Sequence, residues 1–229
     1  MKHIFEPLIE VVGRLPEKYK RCSVEDIHDE PMLFSADWDF ARKNGGPLTN
    51  CIMDVLKDES NIYTTELAKL VEIANNNNTR AYDFAENELN TGSTKHNIII
   101  DTRSHMLMKG MYPAIPGWHC DGVPRGEKYS QPDLNKIDPE VKFYTCILST
   151  DDNVSRTEFL DESAKVVIDE QQVWSSLDKN LSSKDVYYNY ELMEESVVMF
   201  DQNTPHRAVP CKNPGWRFFF RLGLVPKEP

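Results

Sequence analysis

The hydrophobic pattern changes period along the chain. From about residue 35 to residue 90, apolar positions recur at the three- and four-residue intervals of a helix face; from residue 96 they fall into the short runs and alternations of strands. Leu48, Cys51, Ile52, Val55 and Leu56 share one helical face, and Pro47 ahead of them suits a first turn. Ser35 is placed to cap a helix over 36–43 that stops at Gly45-Gly46. Leu67, Leu70, Val71 and Ala74 predict another helix over 65–74, ended by the asparagines 75–78, while 81–90 fits neither period. The first 34 residues alternate short apolar and charged pieces. They predict a short strand or helix over 5–12, a loop through Pro16, and a short helix opened by Ser23 with Asp26 in the position of a capping box.

The second half reads as many short strands. An apolar run at 97–100 and a strand over 104–112 come first, then polar loops out to residue 140. A strongly β-favouring run follows at 141–149, with short strands at 157–160 and 164–168. Residues 171–190 read as an irregular polar insertion carrying Trp174, Tyr187, Tyr188 and Tyr190, either a lid, a partner surface or a loop packed on the core. A strand over 196–200, a turn at 201–205 and a last strand over 216–224 complete the chain. Short strands punctuated by turns predict a sandwich or jelly roll. The expected class is therefore mainly β with N-terminal helices. It is read as a single domain: 1–95 a largely helical support and 96–229 the core.

Composition narrows the partners. A net charge of -11 argues against a protein built to grip a phosphate backbone, although a local basic groove stays open. The five cysteines are odd in number, widely spaced and free of any C-x-x-C, which fits reduced thiols in a cytoplasmic protein. The N-terminal residues carry two glutamates and a proline, unlike a signal peptide, and no apolar run approaches the roughly 20 residues that span a membrane. The common nucleotide, hydrolase and zinc-protease motifs are absent. A small-molecule substrate fits this balance better than a membrane or a nucleic acid.

The stretch Ile115-Pro-Gly-Trp-His-Cys-Asp-Gly-Val-Pro-Arg125 carries the chemistry. In an extended segment His119 and Asp121 leave the backbone on one side, with Cys120 on the other. A histidine and a carboxylate on one side make two-thirds of a facial metal triad. Such a pair also arises by chance: His28 and Glu30 form a second one, in a polar segment that reads as solvated surface. The company differs. About 85 residues beyond Asp121, past several strands, comes His206 after a turn, and eleven residues later Arg217 opens Arg-Phe-Phe-Phe-Arg221. Alternation puts Arg217, Phe219 and Arg221 on one face and Phe218, Phe220 and Leu222 on the other. Taken singly, His206 is an ordinary turn histidine, and the arginines snorkel to solvent.

The joint pattern, with Arg156-Thr-Glu-Phe-Leu160 and the run Val197–Phe200 then Asp201, resembles the iron(II)- and 2-oxoglutarate-dependent dioxygenase superfamily, over about residues 96–224. It is closest to the phytanoyl-hydroxylase-like and prolyl-hydroxylase-like branches. The resemblance implies a double-stranded β-helix core in which His119, Asp121 and His206 hold Fe(II). Arg217 would bind the far carboxylate of 2-oxoglutarate, with Arg221 as the alternative anchor and Tyr112 or Thr145 as helping hydroxyls. It also implies consumption of O2, release of succinate and CO2, and hydroxylation of a C–H bond. Arg125, Arg221 and Lys109 are the candidates for meeting an anionic substrate. Two rival readings are a cupin-type metal protein without 2-oxoglutarate, weakened by the lack of His-x-His, and a catalytically silent β-sandwich.

Overall fold

The computed structural model describes residues 1–19, 22–57, 96–151, 156–182, 189–191 and 196–227. In chain order these hold β1 (Lys2–Phe5), β2 (Ile9–Arg14), α1 (Val24–His28), α2 (Trp38–Asn44), α3 (Pro47–Lys57), β3 (His96–Leu107), β4 (Lys142–Ser149), β5 (Thr157–Leu160), β6 (Ala164–Val167), α4 (Val173–Ser182), β7 (Asn189–Glu191), β8 (Ser196–Asp201), β9 (His206–Ala208) and β10 (Gly215–Pro226). The expected helix over 65–74, the segment 81–90, and Tyr187 and Tyr188 lie outside the described residues.

The large sheet has five strands in the order β2-β8-β4-β10-β3, antiparallel wherever the register is given. Its alternation explains both of its faces. Phe218, Phe220, Leu222 and Leu224 of β10, with Tyr144, Cys146 and Leu148 of β4, turn to one side and form a core with Ile27, Trp38, Leu48, Ile52, Met53 and Leu56 of the N-terminal helices. Burying each of these side chains contributes about 1.5–3 kcal/mol, so the helical layer is fixed by this face. The other face looks onto a three-stranded sheet, β7-β5-β9, and the two layers share Phe143, Ile147, Phe159, Val198 and Phe200. A two-stranded sheet, β1-β6, closes a further core with α4 and the segment Trp118–Cys120. The architecture is mainly β with N-terminal helices and antiparallel sheets. Among the described residues, no helix is long and apolar enough to cross a membrane.

Several local expectations change. The first 14 residues, expected to hold one short strand or helix, form two strands that pair with β6 and β8. The expected break between 100 and 104 does not occur: β3 runs twelve residues unbroken, with Asp101 and Arg103 as its polar inner face. Asp37, not Ser35, caps α2, accepting the Phe40 N–H at 2.7 Å; Ser35 has a positive φ of 49° and donates its own N–H to Asp101 at 2.9 Å. Part of the supposed irregular insertion is the regular helix α4, whose Val173, Leu177 and Leu181 recur every four residues and are buried. Ser23 and Asp26 do form a reciprocal capping box on α1.

The pair His28 and Glu30 divides. His28 is exposed, against Asp29 and the edge of Trp216. Glu30, read as surface, is only 4% exposed. Its carboxylate accepts the Leu48 N–H and the Thr49 hydroxyl, the latter at 2.9 Å, and so caps α3. A side chain at Gly46 would meet that carboxylate at 2.6 Å, which keeps the turn ahead of α3 free of a Cβ. Replacing a buried acceptor leaves its donors unsatisfied, at a cost of about 1–3 kcal/mol. Glu30→Ala is expected to lower unfolding stability by about that amount, and His28→Ala by less than about 0.5 kcal/mol. Urea denaturation of the two variants checks this, and equal effects would return Glu30 to the surface.

Candidate metal centre

Two reciprocal backbone hydrogen bonds, His119 N to His206 O at 3.0 Å and His206 N to His119 O at 2.8 Å, set the two histidines side by side. Each is prepared by its neighbours. On the first segment, the Trp118 N–H donates to Asp178 of α4 at 3.1 Å, and Arg207 lies over the Trp118 indole at 4.7 Å. On the second, Asp201 accepts the Asn203 N–H at 3.1 Å and the Thr204 hydroxyl at 2.6 Å, which shapes the turn. Thr204 in turn accepts the Leu8 N–H at 3.0 Å, latching the turn to the chain just ahead of β2. Cys120 points away into the core with Trp118 and Leu134, and burial pushes its thiol pKa well up.

The tautomers follow from these contacts. His119 Nδ1 lies 2.8 Å from the Gly117 carbonyl, and His206 Nδ1 lies 3.1 Å from the Thr204 carbonyl. A carbonyl only accepts, so each Nδ1 carries a proton, and a neutral ring so held presents its lone pair at Nε2. Those Nε2 atoms face Asp121, at 3.8 Å from Oδ1 and 3.6 Å from Oδ2 respectively. Burial by itself would raise the Asp121 pKa, but His206, Arg221 and His119 hold it well below the usual carboxylate range. Burial and His206 lower His119 to about 4, so it is neutral at pH 7. The two Nε2 atoms therefore converge on an ionised carboxylate.

The three donor atoms lie within 4.8 Å of one another, and among the described residues this is the one cluster that could hold a metal ion. Bonds of about 2.1 Å to an octahedral face put donors about 3 Å apart, so closing on an ion takes a shift of roughly an ångström or so. The donor set of two nitrogens and one oxygen suits a divalent first-row metal with open positions.

The donors line a cavity of about 190 Å³ between the two larger sheets. Phe159, Phe200 and Phe219 supply apolar walls. Arg217 is 3% exposed in its lining, and burial and the neighbouring Arg103 lower it to about 9. Arg221 also lines it, but its guanidinium is committed: Nη1 donates to Asp121 Oδ2 at 2.5 Å and Nη2 to Asp101 Oδ2 at 2.7 Å. Thr145 lines it with its hydroxyl donated to the Phe220 carbonyl at 2.9 Å. Tyr112 is 46% exposed and Lys109 is exposed, both outside the lining. Arg125 is also outside, donating to Ser130 O at 2.5 Å within its own loop. Asp101 and Arg103 of β3 were missed from the sequence; the signal was polar residues alternating with Ile98, Ile100 and Thr102.

No model of a known family matches the chain, and no curated protein matches it in sequence. Solved structures similar to it include oxygenases. A non-heme monooxygenase, ThoJ, in complex with nickel is 12% identical, covering 97% of this chain and 74% of that one, with a TM-score of 0.40. An N-substituted L-amino acid dioxygenase from Burkholderia ambifaria AMMD is 13% identical over 97% and 84%, with a TM-score of 0.45. A Pseudomonas putida prolyl-4-hydroxylase is 10% identical over 90% and 93%, with a TM-score of 0.32. Likeness at this level is distant. What the site can do follows from its own side chains.

His105 pairs with Arg217 across β3 and β10, and its Nε2 is buried with no hydrogen-bond partner among the described residues. Burial, Arg217 and Arg103 lower it from 6.5 to about 4. The unfolded chain then binds the proton more readily between these values, so stability falls as pH drops through that window. Thermal melting of metal-free protein is expected to show a plateau above about pH 6.5 and a decline toward pH 4. In His105→Gln the decline should be shallower; an unchanged profile would mean that His105 is not buried neutral.

Proposed function

We propose that the protein is an iron(II)- and 2-oxoglutarate-dependent oxygenase that hydroxylates an unactivated C–H bond of a small molecule or amino-acid derivative, with release of succinate and CO2. The supporting observation is the convergence of two imidazole nitrogens and a carboxylate in a cavity that a buried arginine also lines. On this reading the two facing sheets are the layers of a jelly roll, and His119, Asp121 and His206 hold the ion. When bound, the iron supplies the O2 activation to which oxidation of 2-oxoglutarate and substrate is coupled. The rest falls to the chain. The Gly117 and Thr204 carbonyls keep both Nε2 atoms aimed inward. Arg217, planar and low in the cavity, pairs with the far carboxylate of 2-oxoglutarate through two parallel charge-assisted bonds. Arg221 donates to Oδ2 of Asp121 and so fixes the plane of that ligand. Phe159, Phe200 and Phe219 keep bulk water from the reacting atoms. Cytoplasmic residence belongs to the same proposal, since five cysteines outside any disulfide and ferrous iron both suit a reducing compartment.

Anaerobic addition of Fe(II) and 2-oxoglutarate is expected to give a weak visible charge-transfer band. His206→Ala should abolish the band. Arg217→Leu should leave metal binding in place and weaken 2-oxoglutarate by about tenfold or more, the worth of a lost charge-assisted pair. A wild-type protein that binds neither iron nor 2-oxoglutarate would sink the proposal; iron binding without 2-oxoglutarate would leave a simpler metal protein.

A further inference from the structure

We propose that Arg103 anchors a carboxylate on the substrate, and that the substrate is a small organic acid with an apolar body. The inference rests on the oxygenase reading and adds the substrate class to it. Three guanidinium groups line the cavity, and they are not equivalent. Arg221 is neutralised by Asp121 and Asp101. Arg217 is buried at 3% exposure, and it is the one assigned to the cosubstrate. Arg103 is exposed, and among the described residues no carboxylate is bonded to it.

Its place in the sheet gives Arg103 a direction. β3 is the edge strand beside β10, and Arg103 stands opposite Phe219, next to the pair His105–Arg217. It is therefore one strand further out than the buried arginine and on the same inner face. Two cations side by side on that wall repel each other, which adds to the effect of burial in lowering Arg217. One cosubstrate carboxylate answers only one of them. The second remains to meet an anion that enters from solvent.

The same cavity supplies the apolar contacts. Pro113, Ala114 and Ile115 line it, on a segment fixed by the hydrogen bonds Ala208 N to Ile115 O at 3.1 Å and Cys211 N to Met111 O at 2.9 Å. Ile115 is 53% exposed, so apolar surface reaches the outside as well as the lining. A volume of about 190 Å³ is below the roughly 300–1,000 Å³ of pockets that enclose drug-sized ligands. With 2-oxoglutarate inside, the substrate body must lie against this outer wall, with its carboxylate on Arg103.

The test uses full-length protein loaded with nickel as a redox-inert stand-in and saturated with 2-oxoglutarate. A panel of aliphatic and aryl carboxylic acids is titrated calorimetrically beside the matching primary amides. The expected result is at least one acid bound about tenfold or more tighter than its amide, the size of a charge-assisted bond. R103Q should reduce that preference to within about threefold without changing 2-oxoglutarate affinity, and R103K should keep part of it. Three outcomes overturn the proposal: no acid preferred by the wild type, a preference that survives in R103Q, or a tenfold loss of 2-oxoglutarate binding in R103Q, which would make Arg103 a cosubstrate residue. A separate titration of 2-oxoglutarate into the nickel-loaded wild type tells whether the oxygenase reading itself fails, which takes this proposal with it.

Discussion

The antiparallel bridge between His119 and His206 is the contact on which the centre depends. In such a pair both backbone bonds are exchanged between the same two residues, and their side chains emerge on one face of the sheet. That single register puts two imidazoles together with ring centroids 4.6 Å apart. Asp121, two residues along from His119, then has no choice of side. The surrounding structure can be read as support for this bridge. α4 and Arg207 grip Trp118 from one direction, and the chain ahead of β2 holds the turn before His206 from the other.

The cavity is also an electrostatic arrangement. A buried charge is costly unless paired, and this site handles its charges in different ways. Arg221 sits between two aspartates and stays fully charged, its pKa raised by them against the opposing effect of burial. Arg217 is buried beside another cation and is lowered. Asp121 is held ionised by what surrounds it. The result is an ionised carboxylate and a buried guanidinium in one cavity between the same two sheets.

Much of this was legible in the residues. The i, i+2 spacing of His119 and Asp121 and the alternation of Arg217, Phe219 and Arg221 are backbone geometry, and geometry does not depend on knowing the fold. The long-range partners were not legible in the same way. Asp101 and Arg103 looked like a break between two apolar pieces because they interrupt a hydrophobic run; they are polar because they face the cavity. Glu30 looked solvated because its neighbours in sequence are charged, yet its surroundings are set by the start of α3, seventeen or more residues away. α4 was hidden because Ser175, Ser176 and Asn180 dilute a four-residue period that Val173, Leu177 and Leu181 still keep. In each case burial by a distant element decided the outcome, and a single sequence gives the period but not the partner.

The pairing of β3 with β10 also bears on how the molecule is made. It joins Leu107 to Gly215 and His96 to Pro226, more than a hundred residues apart along the chain. Contacts this remote pay their loop-closure cost before any reward, so β-structures built on them form slowly. Until β10 docks, the wall that carries both Arg217 and Arg221 does not exist, and Asp121 lacks the guanidinium that orients it. Metal capture would then be a late event in maturation, and an ion that binds only the finished register would act as a clasp on it, stabilising the folded chain by mass action.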